Sequence, residues 1–364
     1  MKWREVRNIL CVRLDSMGDL LMTTPALRAS WQEGRCRLTL LTSKAGAVVA
    51  SSIPEISDVI VYEAPWMKTA AVSQFRDVDR EIIEQLRERG FDAAVIFTVF
   101  SQNPLPAALL TYLAGIPLRL AHCRENPYGL LTHWLPETEP ERGIQHEVER
   151  QLRLVSHVGY DCQRRNLEIH VSQESVAKTT ALRERLSIGG KWILIHPGAS
   201  AASRRYPPHL FSQVATGLIE RGFTIVFSGD SSERELVRDI QKDVKGRALS
   251  VAGELEFTDL AALIQSAPLV LTNNTGPAHI SAAVGTPVVV LYALTNPQHT
   301  PWMVPSVVLS HEVACGNCFK SVCPEGHNNC LSLIKPERVI DACLTLWRKQ
   351  HKPHQETTHA HLGN

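Results

Sequence analysis

The sequence predicts an α/β protein of two doubly wound, Rossmann-like halves that face each other across a cleft. Short runs rich in Val, Ile and Leu alternate with longer amphipathic segments, and continuous apolar strands of this kind belong to parallel sheets covered by helices on both faces. The alternation stops in a polar, proline-bearing stretch at 136–142 and restarts near residue 192. At 364 residues the chain is too long for one ordinary core and suits two domains of roughly 100–200 residues each.

In the first half, a strand at Asn8–Arg13 leads into a helix over 19–31. Strands follow at 37–41 and 59–62, then a helix over 72–89 that Gly90 stops, then a strand at 93–97. A helix over 145–158 precedes a linker at 161–165. The second half reads as strand Trp192–His196, helix 208–220, strand 224–228 and helix 232–240. It continues with helix 258–265, strand 269–272, helix 277–283 and strand Val288–Leu291. The division expected is 1–165, 166–350 and a disordered tail at 351–364. Ligands of open parallel sheets bind beyond the carboxyl ends of the strands, so the loops after the strands should line the cleft.

Composition excludes several classes. Apolar residues make up 44% and charged residues 21%, which is globular, and a net charge of +1 supplies no global attraction to nucleic acid or an anionic membrane. No apolar stretch approaches the ~20 residues of a spanning helix. The N-terminal apolar run, Ile9 to Val12, is shorter than a signal peptide needs. Nine cysteines, an odd number without an export signal, read as reduced thiols or a metal site rather than a disulfide framework. The location expected is cytoplasmic, with contact at the membrane face. No G-x-G-x-x-G follows the first strand and no P-loop is present, which disfavours a dinucleotide dehydrogenase and a P-loop NTPase. Asp77-Val78-Asp79 spells the Asp-x-Asp of metal-dependent sugar transferases, but it sits in a helical pattern with Phe75, Ile82, Ile83 and Leu86 and reads as a solvated face.

Three post-strand loops carry chemistry. In Arg13-Leu14-Asp15-Ser16-Met17-Gly18-Asp19, Gly18 permits a tight turn and Asp19 stands at the mouth of the first helix. Asp19 is either a helix cap or a general base aimed into the cleft, with Asp15 as the rival. In His196-Pro197-Gly198-Ala199-Ser200 through Arg204-Arg205-Tyr206, small residues, two arginines and a following helix suit an anion such as a diphosphate; an ordinary turn with solvated arginines is the bland alternative. In Asn274-Thr275-Gly276-Pro277-Ala278-His279, Thr275, Gly276 and the helix amides form an anion cradle. His279 is a phosphate donor there, or a satisfied helix residue.

These motifs, in this order, together with Pro25-Ala26-Leu27-Arg28, Gly285-Thr286-Pro287, Asn296-Pro297 and a closing Cys-x-x-Cys, resemble glycosyltransferase family 9 over nearly the whole chain. This is the heptosyltransferase family of lipopolysaccharide core synthesis, and the chain is most similar to its heptosyltransferase II-like branch. The resemblance implies a GT-B fold and an inverting, metal- and cofactor-independent transfer of heptose from an ADP-heptose-type donor to a glycan or glycolipid acceptor, without nucleic acid as a partner. It implies that Asp19 is the catalytic base and that Arg204, where the family commonly has lysine, lies near the donor phosphates. Thr275 and Gly276 match the diphosphate turn, and Glu233 matches a glutamate that binds the ribose. Ser200, Arg205, Asn274 and His279 complete the donor-side set. Asn274 stands where many members have Asp, so a role for that residue as a base does not transfer, whereas a hydrogen bond does.

Cys315, Cys318, Cys323 and Cys330 fall within sixteen residues, with His327 among them. They read as reduced thiols in an ordered loop, with a structural metal as the alternative. Cys11, Cys36, Cys123, Cys162 and Cys343 read as packing residues. Two other functions stay open on this reading: a GT-B enzyme using another nucleotide sugar, and a non-catalytic nucleotide-binding protein built around the cysteines.

Overall fold

The computed structural model describes residues 1–67, 77–246 and 248–351. The first half runs β1 (Asn8–Arg13), α1 (Met17–Trp31), β2 (Arg37–Thr42), α2 (Lys44–Ala50), β3 (Ile56–Val61), α3 (Asp77–Glu88), β4 (Ala93–Ile96), α4 (Leu105–Leu113), β5 (Leu118–Cys123), β6 (His133–Pro136) and α5 (Glu147–Ser156). The second runs α6 (Gln173–Arg185), β7 (Trp192–His196), α7 (Pro208–Ile219), β8 (Thr224–Phe227), α8 (Arg234–Lys242), β9 (Ala248–Ser250), α9 (Phe257–Ser266), β10 (Val270–Asn273), α10 (Gly276–Val284), β11 (Val288–Leu291), β12 (Ser306–Leu309), α11 (Asn329–Ser332) and α12 (Pro336–Gln350).

The strands form two six-stranded sheets, ordered β3-β2-β1-β4-β5-β6 and β12-β11-β10-β7-β8-β9. Every pairing is parallel. Counted within its own half, each sheet has the order 3-2-1-4-5-6 of the doubly wound fold, and its crevice opens where the order reverses, between β1 and β4 and between β7 and β10. The two architectures expected from the sequence are therefore present.

Several boundaries differ for local reasons. Helix α1 starts at Met17, not 19, because Ser16 is the cap: its hydroxyl accepts from the Asp19 amide, and the Asp19 carboxylate returns a bond to the Ser16 amide. Asp19 thus closes a capping box from inside the first turn. The helix expected over 232–240 is a short 3-10 turn, Ser231–Glu233, followed by α8. Of the helix expected over 72–89, residues 72–76 lie outside the described residues, as do residues 352–364 of the expected tail. Strand β5 was not predicted, since Arg119 and His122 interrupt its apolar pattern. It is nevertheless buried throughout, because the Arg119 guanidinium is satisfied by the carbonyls of Leu130 (2.7 Å), Gly129 (2.8 Å) and Ile116.

Helix α1 is buried from Leu20 to Ser30 because it packs on α5 and, across the cleft, on α10. Its Arg28 is 5% exposed and pairs with Glu55 at 2.7 Å and Glu168 at 2.9 Å. The same guanidinium donates to the carbonyls of Arg164 (3.1 Å) and Asn166 (3.0 Å), pinning the segment that crosses between sheets. A continuous apolar core follows, running from Leu20 and Leu27 through Leu152 and Trp192 to Ala278 and Ile280.

Candidate functional site

Beyond β1 the chain buries one guanidinium among three carboxylates. Arg13, fully buried, lies 3.1 Å from Asp15 Oδ2, 2.9 Å from Glu147 Oε1 and 3.5 Å from Asp19 Oδ1. Burial works against its charge, but the carboxylates outweigh burial and raise its pKa. They also divide the negative charge unevenly. Burial, with Asp19 and Glu147 adding to it, pushes Asp15 up to about 6 against the opposing pull of Arg13 and Gln102. Asp19 is also pushed up by burial, yet Arg13, His299, the Ser16 hydroxyl and His279 together bring it below its ordinary value. Of the two aspartates, Asp19 is the one the network shifts toward the ionised form.

Its two oxygens differ. Oδ2 accepts from the Ser16 amide at 3.2 Å and the Ser16 hydroxyl at 2.6 Å. Oδ1 faces Arg13 and His299 without a bond of that length, the His299 Nε2 being 3.7 Å away. The Asp19 side chain is 14% exposed against 6% for Asp15, which is tied by Gln102 as well as Arg13. An oxygen facing the cleft on an ionised carboxylate suits proton acceptance.

In the second half, Gly198 leaves room for Glu233: a Cβ on Gly198 would stand 1.7 Å from Glu233 Oε1. Glu233 also accepts from the Asp230 amide (3.0 Å) and lies 3.5 Å from His196 Nε2. Burial keeps the His196 pKa low despite Glu233 and Asp230, so the carboxylate is not consumed by a charged partner. Glu233 therefore lies at the β7 end of the crevice with oxygens available to hydroxyl donors. Asn273 staples the loops after β7 and β10, donating to the Pro197 carbonyl (2.7 Å) and accepting from the Tyr206 amide (3.1 Å). The neighbouring arginines separate in role. Arg205 Nε donates to the Ala199 carbonyl (2.7 Å) and braces the loop, whereas Arg204 is half-buried with its Nε lacking a partner among the described residues. Ser200 is exposed at the loop tip.

Helix α10 starts from Thr275, which has extended backbone and no side-chain cap. Pro277 has no N–H and the Ala278 amide donates to the Thr275 carbonyl (3.0 Å), so the Gly276 amide is the first-turn donor left for an anion. Gly276 stands against Met17, so the N-termini of α1 and α10 meet. His279 is deeper than the sequence suggested. Burial and His299 push it down to about 3, its neutral ring lies against Gly18, and its Nδ1 has no partner among the described residues. A Cβ on Gly18 would stand 2.8 Å from His279 Cδ2, so the glycine is required by helix approach and not by the tight turn expected of it. Asn274 is 1% exposed, its amide donates to the Leu291 carbonyl (3.2 Å), and its Nδ2 has no partner among the described residues.

Arg13, Glu147 and His299 were not singled out in the sequence. Glu147 is one of two glutamates in the first turn of a helix that also carries two arginines, and His299 follows the noted Asn296-Pro297 pair, the nearest available signal. Beyond β4 and β5 a cavity of about 240 Å³ is lined by Phe100, Gln102, His122, Arg124, Glu125 and Glu137 among others, next to Asp15 through Gln102. Asp79 accepts from the Tyr62 hydroxyl (2.9 Å) at the start of α3. Cys315, Cys318, Cys323 and Cys330 are free and half-buried, and no three His, Cys, Asp or Glu side chains among the described residues are gathered closely enough to hold a metal. Cys11, Cys36, Cys123 and Cys343 are buried free thiols, and Cys162 is half-buried.

Known proteins resemble this chain in sequence and in fold. The chain is 31% identical over 169 residues to the lipooligosaccharide heptosyltransferase 2 of Campylobacter jejuni serotype O:2, covering 44% of this chain and 53% of that one, so the match spans about half the relative's length. It is 26% identical over 280 residues to the lipopolysaccharide heptosyltransferase 2 of Escherichia coli K12, covering 72% and 77%. The solved structure of the E. coli ADP-heptose lps heptosyltransferase II superposes with a TM-score of 0.74 at 22% identity, covering 95% of this chain and all of that one, and so shares the GT-B fold. The family model of glycosyltransferase family 9 (heptosyltransferase) matches residues 80–328, and the chain belongs to that family.

Proposed function

We propose that the chain transfers a heptose from an ADP-heptose-type donor to a hydroxyl of a lipopolysaccharide core or related glycan, with inversion and without a metal, at the cytoplasmic face of the membrane. One observation carries this: the first turn of α1, which bears Asp19, stands against Gly276 at the start of α10, and Arg204, its Nε without a partner among the described residues, acts on the same His279 and His299 that act on Asp19. In this mechanism Asp19 Oδ1 takes the acceptor hydroxyl proton, and the hydroxyl oxygen attacks the anomeric carbon. The sugar–diphosphate bond breaks on the opposite face, and Arg204 with the Gly276 amide stabilises the charge on the departing diphosphate. Glu233 accepts from the ribose hydroxyls, and Asn274 contributes a hydrogen bond to the donor. The cavity beside Gln102 is the acceptor side. ADP-heptose is named for the E. coli heptosyltransferase II that this chain resembles, and the unpartnered polar groups around Arg204 and α10 suit its diphosphate.

Calorimetric titration of the metal-stripped protein with ADP, UDP and GDP tests the donor. Preference for ADP, lost in Glu233→Ala and weakened in Arg204→Ala, supports the reading; preference for UDP or GDP overturns the heptose donor.

A further inference from the structure

His299 belongs to the turn Pro297–His299 after β11, in the second half, yet its imidazole reaches Asp19 in the first. It is 9% exposed. Its Nδ1 lies 2.6 Å from Asn296 Nδ2, and the Asn296 Oδ1 accepts from the Thr295 hydroxyl at 2.7 Å. An amide nitrogen only donates, so Nδ1 accepts and the ring proton resides on Nε2. That Nε2 is buried, has no hydrogen-bond partner among the described residues, and is aimed at Asp19 Oδ1 from 3.7 Å. The loop itself is held: Tyr292 hydroxyl donates to the Asn296 carbonyl (2.5 Å), and the cysteine-bearing segment donates from Asn317 to the Leu294 carbonyl (2.6 Å) and from Phe319 to the Thr295 carbonyl (2.9 Å).

We propose that His299 is a positioning residue for Asp19: its Nε2–H, supplied by the second half, orients Asp19 Oδ1 toward the acceptor and completes the base only when the two halves are together. The proposal rests on Asp19 being the base. The 3.7 Å gap is longer than a hydrogen bond, and catalytic contacts of this kind shorten when substrate is bound. The surroundings keep the ring neutral. Burial is the largest influence, and Arg204 from the loop after β7 and Arg13 from β1 add to it, whereas Asp19 on α1 and Glu147 on α5 oppose it. His279 on α10 and His146 before α5 also face the ring. A neutral donor suits this task, since it supports the carboxylate without competing for the acceptor's proton.

The experiment compares full-length wild type with His299→Ala, His299→Gln and Asn296→Ala. His299→Ala should lower kcat by about tenfold or more, as misplaced catalytic groups do, with donor KM and calorimetric ADP affinity little changed. Removing a donor that favours the carboxylate raises the Asp19 pKa, so the acidic limb of the kcat profile moves to higher pH. His299→Gln keeps an N–H near the Nε2 position and should recover part of both effects. Titration of the Asp19 carboxyl in ¹³C-aspartate-labelled protein, assigned with Asp19→Asn, reads the pair without substrate. A wild type that transfers no heptose therefore sinks only the proposed function. An Asp19 titration identical in wild type and His299→Ala overturns the positioning role. Should His299→Ala not fold, Asn296→Ala releases Nδ1 and should move the titration in the same direction; an Asp19 titration in Asn296→Ala identical to wild type overturns the role equally.

Discussion

Asp15 and Asp19 share one guanidinium and are driven in opposite directions, which separates their roles by measurement. Asp19→Asn should lower kcat by about 10²–10⁴-fold, the usual contribution of a general base, while ADP affinity persists. Asp15 makes a different prediction. Its folded pKa is raised from 3.8 to about 6, so between those values the folded protein holds more protons than the unfolded chain. Its contribution to stability is present at low pH and lost as pH rises through that window. Asp15→Asn removes the loss, so urea denaturation should show the variant gaining on wild type from pH 4 to pH 7. A difference independent of pH would contradict the raised value. Gly198 supplies a third test at this scale. A methyl group there would overlap Glu233 Oε1, so Gly198→Ala should reduce ADP affinity about as much as Glu233→Ala does, read by calorimetry.

Among elements, α1 and α10 matter most, because their N-termini meet where the proposed base would face the proposed anion cradle. Gly18→Ala places a methyl carbon 2.8 Å from His279 Cδ2 and must push the helices apart. Overpacking of this kind costs about 1–3 kcal/mol, so thermal denaturation should show reduced stability, and kcat should fall further than ADP affinity. Element identity was readable where burial and side-chain type agree. Asn8–Arg13, Trp192–His196 and Val288–Leu291 have the extents expected, since apolar or β-branched residues dominate each and nothing local competes. Strand β5 and helix α6 were not readable. In β5, Arg119 finds carbonyls only in the folded chain, and α6 buries only Ser175 and Thr179, which leaves no apolar stripe to detect. The site divides the same way. The loops bearing Asp19, Arg204, Glu233 and Thr275 announce themselves by glycine, proline and charge after a strand. Glu147 and His299 gain their meaning only from α5 and the β11 loop reaching Arg13 and Asp19, a tertiary fact without a local trace.

On the proposed reading, neither half of the molecule holds a complete site. Contacts other than the reacting groups tie the halves: Trp302 donates to the Arg165 carbonyl at 2.7 Å, His146 pairs with the Thr300 carbonyl at 2.9 Å, and Phe100 meets Phe319 edge-on at 5.5 Å. Trp302 also lies against the His146 ring at 4.5 Å, so one side chain supports two of these ties. An inverting transferase must keep water from the anomeric carbon until the acceptor arrives, and apposition of the halves is the means available to this fold. Trp302→Ala should therefore loosen the halves without touching Asp19, Arg204 or Glu233. ADP release from ADP-heptose in the absence of acceptor should rise relative to transfer in its presence, while ADP affinity stays close to wild type. If the hydrolysis-to-transfer ratio is unchanged although scattering shows a more open particle, water is excluded by the loops of the second half alone, and apposition serves chiefly to bring Asp19 to the donor.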